Sequence, residues 1–244
     1  MYCFSIIFFI TLSFAVTDEE HINSQIEEQL RNISKNDENI HYYVNLRLKC
    51  MVRTLEKNII ISNSDDTLIK LAHYGIETLK MPLLRFESVM RIVDGERFLA
   101  QGHIHETKDY IWQLRICDEY VKASEDLFRT YSDLLIIVTD EVSTCDVFEH
   151  KKEAFLEAFR KVFLQMSADP VELYRQHIAM AKICRQTVEL LQEHDGKWTI
   201  QRNGDLFFQE RRTVIELNDL VQIMDEINYK IQELAERVDN FGAL

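Results

Sequence analysis

Glycine and proline together make up about 12% of an average chain, yet this sequence has only 6 Gly and 2 Pro in 244 residues. Barrels, sandwiches and phosphate-cradling loops need residues that adopt positive φ cheaply or that interrupt regular backbone at close intervals. A chain so poor in both is confined largely to long helices joined by short turns. Hydrophobic residues at 46% and charged residues at 28% suit a packed globular chain rather than a disordered one. The expected fold class is therefore mostly α, a bundle of long helices with one small β-hairpin near residues 197–209.

Apolar spacing supplies the elements. Ile22, Ile26, Leu30 and Ile33 form a narrow helical stripe, and Ile40, Tyr43, Val44, Leu48, Met51, Val52 and Leu55 form a second one. After a loop at Asn58–Asp66, in which Ser64 or Asp65 can cap, a helix is expected through Lys80 and a break at Met81-Pro82. Helical spacing resumes over Leu83–Val93 and stops at Asp94-Gly95. The irregular segment Glu96–Glu106 precedes a helix expected from Thr107 to about Arg129, with a turn near Tyr131-Ser132. The apolar run Leu134–Val138 is read as helix, because no partner strand is evident.

Glu149–Met166 is amphipathic, and Asp169, Pro170 and Glu172 suggest a fresh helix start through a cap, a first-turn proline and a reciprocal cap. That helix is expected to reach His194, with Gly196 just beyond its end. Trp198-Thr199-Ile200 and Leu206-Phe207-Phe208 flank Gln201-Arg202-Asn203-Gly204, the pattern of a hairpin. A helix over Glu210–Phe241 then carries apolar residues at spacings of three and four, either as the backbone of the bundle or as a coiled-coil arm.

The amino terminus suggests an address. Tyr2–Val16 is uncharged and ends abruptly at Thr17-Asp18-Glu19-Glu20. At about 15 residues it is too short to cross a hydrocarbon core of ~30 Å comfortably, and Ser13-Phe14-Ala15 offers a small-x-small cleavage site. Residues 1–15 are read as a secretory signal peptide, although they lack the usual Lys or Arg, and residues 16–244 as a single helical domain. No stable membrane span is expected, and the product is expected to be extracellular. A net charge of −13 repels phosphate backbones and anionic headgroups, which argues against nucleic acid or a bare membrane surface as the main partner.

An oxidising destination makes Cys50, Cys117, Cys145 and Cys184 candidates for two disulfides. The expected turn near Tyr131 would bring Cys117 and Cys145 level with each other. Asn32-Ile33-Ser34 is a glycosylation sequon, with Asn32 as the acceptor. Lys151-Lys152 and Arg211-Arg212 are dibasic pairs of the kind processed in secretory proteins.

Chemistry-bearing motifs are sparse. His103-Ile104-His105-Glu106 with nearby Asp109 is the best metal-binding pattern, and as a loop pair it lacks a fixed third ligand. Glu38-Asn39-Ile40-His41 matches one half of a di-metal carboxylate motif without a second copy. No catalytic or cofactor motif is present, so no catalytic residue, metal ligand or cofactor is assigned. Phe155, Phe159, Val162, Phe163 and Met166 form a stripe that either packs a core or lines a lipid-sized pocket. Trp198, Phe207 and Phe208 pose the same choice between an anchor and a partner surface. These features predict a secreted non-enzymatic helical protein acting on an unidentified protein partner. The alternatives are an extracellular carrier of a small apolar, lipid-like ligand and a hydrolase or metal-dependent enzyme. Oligomeric state is left open.

Overall fold

The computed structural model describes the backbone of residues 3–59, 66–95, 97–99, 104, 106–200 and 206–241; within these, the side chains of 3–18, 58–59, 165–166 and 239–241 are left out. The described residues form seven helices and one antiparallel pair of strands, so the molecule is a mostly-α bundle with a small hairpin. The helices are α1 (Cys3–Asn36), α2 (Glu38–Ile59), α3 (Asp66–Glu77), α4 (Lys80–Val93), α5 (Thr107–Thr144), α6 (Glu149–Glu193) and α7 (Arg211–Phe241). Strands β1 (Trp198–Ile200) and β2 (Leu206–Phe208) lie between α6 and α7. No helix of the described residues is long and apolar enough to cross a membrane.

The first two stripes become α1 and α2, which bury Ile22, Ile26 and Leu30, and then Ile40, Val44, Leu48 and Leu55. Asp37 separates them. Its Oδ1 accepts from the backbone N–H groups of Asn39 and Ile40, satisfying donors that a helix start leaves free. The expected cap at Ser64 or Asp65 lies outside the described residues.

The break before Pro82 falls elsewhere than expected. α3 stops at Glu77 rather than Lys80, and Pro82 occupies the first turn of α4, where its missing N–H removes no helical bond. Asp94-Gly95 ends α4 as the sequence suggests, the N–H of Asp94 donating to the carbonyl of Met90.

Two further expectations are corrected. No turn occurs at Tyr131-Ser132: α5 runs unbroken through it, and Leu134–Val138 is helical as read. Nothing at Tyr131 obliges the chain to turn, and Tyr131, Leu134, Val138 and Val142 are all buried on one side of the continuous helix. Nor does a helix begin at Asp169-Pro170, because α6 continues across Pro170. Proline removes a helical hydrogen bond at a cost of about 3 kcal/mol. Burial on both sides of it, Phe155 to Phe163 before and Tyr174 to Leu191 after, offsets that cost along the contact with α5. Glu172, instead of capping, bonds within the helix to Arg175 and Gln176.

α5 is the central helix, packing against α1, α3, α4 and α6. The α5–α6 pair is antiparallel. Tyr110 donates to the Leu191 carbonyl at 3.4 Å, Tyr120 meets His177 at 2.6 Å, and Arg185 pairs with Asp118. α7 rests chiefly on α6 and β2, running antiparallel to α6, with Arg237 3.6 Å from Asp169 at one end and Thr213 3.4 Å from His194 at the other. Gly196, at φ 74°, takes the left-handed conformation just past α6, and the strands pair Trp198 with Phe208 and Ile200 with Leu206. The hairpin's connecting residues 201–205 lie outside the described residues.

Candidate functional site

The residues singled out from sequence are not brought together. His103 and His105 lie outside the described residues. Asp109 is committed to the start of α5, its Oδ2 accepting from the Glu106 N–H at 3.0 Å while Oδ1 lies 3.7 Å from Arg97. Glu38 is exposed in the first turn of α2, and His41 is half-buried. Among the described residues no group of three or more His, Cys, Asp and Glu side chains could hold a metal ion.

Phe155, Phe159, Val162 and Phe163 are buried in the core. The rings of Phe155 and Phe159 stack at 6.0 Å, and those of Phe159 and Phe163 at 5.8 Å. All four belong to the main apolar cluster of the fold; the side chain of Met166 lies outside the described set. Asn32 is exposed on α1. Lys152 is buried, its Nζ donating to the Ser143 carbonyl at 3.1 Å, where a cation complements the end of α5. The Arg211-Arg212 pair is exposed at the start of α7.

Among the described residues none of Cys50, Cys117, Cys145 and Cys184 is in a disulfide, so the two expected bridges are not formed. Because α5 does not turn back, Cys117 and Cys145 stand about 42 Å apart along its axis, far beyond the reach of a bridge. Cys50 and Cys145 are half-buried, while Cys117 and Cys184 are buried. Burial pushes the Cys184 thiol up to about 12 and the Cys117 thiol higher still, so neither is a thiolate at neutral pH.

Sequence reasoning missed a polar and aromatic cluster where α2, α4, α5 and α6 meet. Phe86 on α4 presents its ring edge-on to Tyr174 at 5.1 Å and to His177 at 4.9 Å. Tyr131 on α5 stacks on Tyr174 at 5.6 Å, and the Arg47 guanidinium lies 5.9 Å from the centre of the Tyr174 ring. Burial, with a smaller contribution from the Arg47 charge, lowers His177 to about 4, so its imidazole is neutral at physiological pH. The Tyr120 phenol is held well above its usual range, first by burial. Neither group of the Tyr120–His177 pair is therefore poised to exchange protons near neutrality. The sequence signal was Arg47 itself, which falls between Val44 and Met51 on the apolar face of α2.

A shallow groove of about 210 Å³ opens beside this cluster, lined by Asn39, Ile40, Tyr43, Glu87, Met90, Arg91 and Asp94. Arg91 Nε reaches Asp37 at 3.2 Å. The N–H of Ile40 foremost, together with Arg91, holds that carboxyl below its usual range.

The molecule's other distinctive surface lies on α7 and the hairpin. Along α7, Thr213, Ile227 and Leu234 are buried, whereas Leu217, Leu220, Met224, Ile231 and Val238 on the same seam are only half-covered. Beside that seam Ile215, Val221, Ile223 and Tyr229 are between 40% and 70% exposed. The hairpin divides its aromatics: Phe208 is buried and Trp198 half-buried, its Nε1 donating to the Leu191 carbonyl at 3.1 Å, while Phe207 is 53% exposed. Acidic Glu216, Asp219, Asp225, Glu226 and Glu233 stand among these residues in solvent. Set against known proteins, the chain matches no family model, no curated protein and no solved structure, so no relative lends this surface or the buried cluster an activity.

Proposed function

We propose that this is a secreted, non-enzymatic helical interaction protein that offers α7 and the adjoining hairpin to a protein partner. The observation that carries the reading is the half-covered seam of α7, with Val221, Ile223, Tyr229 and the neighbouring Phe207 exposed beside it. Protein interfaces draw their energy from a few large apolar and aromatic side chains within a polar rim. Here the rim is acidic, which selects a partner whose own contact surface is apolar at its centre and basic around it. No specific observation favours the carrier alternative, whose candidate residues Phe155, Phe159 and Val162 belong to the main apolar cluster. The hydrolase alternative rested on His103 and His105, which lie outside the described residues.

The test is site-specific photocrosslinking. A benzophenone side chain placed at Phe207, Val221 or Tyr229 is expected to trap one adduct of defined mass from the extracellular medium, while the same group at exposed Met81 on α4 traps none. Equal adducts from all four positions, or a small molecule released from the native protein on denaturation, rejects the interface. A mature amino terminus at Val16 in the medium fits the secretory reading, and retention in the cell with residues 1–15 intact rejects it.

A further inference from the structure

The buried cluster contains more hydrogen-bond donors than acceptors. Arg47 enters it from α2, and its guanidinium carries five N–H groups and no acceptor. Tyr43, Tyr131 and Tyr174 lie within electrostatic reach of it, as does the Glu87 carboxylate. Two of the donors are orphaned: Arg47 Nη2 and Tyr174 Oη are buried without a hydrogen-bond partner. Tyr131 Oη has only the Met51 thioether, a weak acceptor, at 3.8 Å. His177 does not relieve them: its Nδ1 shares a hydrogen bond with Tyr120 at 2.6 Å, and neither orphaned donor is bonded to its ring. Glu87 lies at the groove end of the cluster, half-buried, and has interactions of its own.

Native proteins rarely leave buried donors unmatched, and least of all beside a buried positive charge. Glu87 already supplies one negative charge near Arg47, so the smallest added charge is the one tolerated: a halide can accept from both orphaned donors, whereas a dianion such as phosphate would leave more excess negative charge in the interior. Entry is available from the groove, since Tyr43 lines it one helical turn before Arg47 on α2.

We propose that Arg47, Tyr131 and Tyr174 form a buried binding site for a halide-sized monovalent anion, which accepts from Arg47 Nη2 and Tyr174 Oη. The anion acts as a structural ligand that locks α2 onto α5 and α6, and it is independent of the partner surface on α7.

Bromide is the probe. For the full chain at constant ionic strength, replacing gluconate by bromide is expected to raise Tm saturably, as binding to the folded state alone requires. Crystals grown in bromide are expected to show an anomalous peak within hydrogen-bond distance of both orphaned donors. Tyr174→Phe keeps the ring and removes one donor, so it is expected to weaken the half-saturating bromide concentration about tenfold or more, as loss of a hydrogen bond to a charged group does. It is also expected to be no less stable than wild type in gluconate, because it deletes an unmatched hydroxyl. Arg47→Gln is expected to abolish the response; should it fail to fold, the bromide peak and Tyr174→Phe decide the matter. An ordered water at the site with no bromide signal, or an undiminished Tm response in Tyr174→Phe, overturns the proposal.

Discussion

His177 shows how a single side chain couples the core to solution conditions. Its folded pKa of about 4 lies below the usual value near 6.5. Between those values the unfolded chain binds a proton that the folded chain refuses, so stability is complete above about pH 6.5 and declines as pH falls towards 4. The full loss is about 3 kcal/mol. Urea denaturation from pH 7.5 to 4.5 is expected to show that decline, and His177→Gln, which retains a hydrogen-bonding side chain for Tyr120, is expected to remove about this much of it. Equal slopes in the two proteins would discard the explanation. Such a residue was invisible beforehand because His177 has no sequence neighbour that marks it; its surroundings come from Phe86, Tyr120 and Arg47 on three other helices. Arg47 was nearer to being legible, since a cation on an apolar face already asks for an explanation.

At the level of elements, α3 meets α5 through Gly75. A methyl group built there would stand 2.4 Å from Val138 Cγ2 and 3.3 Å from Leu134 Cδ1. Replacing a mid-helix glycine by alanine ordinarily stabilises by about 0.5–1 kcal/mol. Here overpacking reverses the sign, because a β-branched valine in a helix has little freedom to swing aside, and Gly75→Ala is expected to destabilise by about 1–3 kcal/mol. Val138→Ala removes the obstructing methyls, so the double variant is expected to lose less than the two single losses added together. Additive losses in denaturant titrations would show that the two residues do not collide. Most elements were legible because their periodicity reflects burial directly: Ile22, Ile26 and Leu30, or Phe155 and Phe159, are apolar at helical spacing and are buried in the fold. Boundaries were harder to read. Asp169-Pro170 has the local chemistry of a helix start, yet tertiary packing along α5 outweighs it, and the absence of any turn at Tyr131 follows from the same long seam.

Across the whole molecule, cohesion is uneven. Residues from α1 through α6 and Phe208 of β2 form the main apolar cluster, against which Val214, Leu217 and Met224 of α7 pack, whereas buried Leu173, Leu190, Ile227 and Leu234 fall outside it. From Ile227 onwards the α6–α7 contact is therefore a satellite seam, and low-energy opening is expected to begin there. Ile227→Asp is expected to speed tryptic cleavage within α7 at least tenfold while leaving the principal thermal transition nearly unmoved. Collapse of that transition would show α7 to be part of the main cooperative unit.

The pairing of early helices with late ones also bears on the order of assembly. Glu27 contacts Arg85, Asp37 contacts Arg91, Met51 contacts Tyr131, and Arg47 sits against Tyr174. At a synthesis rate of about 5–20 residues per second, Arg47 emerges several seconds to tens of seconds before Tyr174 exists. The apolar faces of α1 and α2 can meet only α3 and α4 until the rest is made, whereas α5 and α6, joined by the short link from Cys145 to Phe148, can close on each other as soon as both exist. The part of the chain translated first is thus among the last to complete its packing, and a nascent chain interrupted before α6 would leave part of its hydrophobic stripes to chaperones.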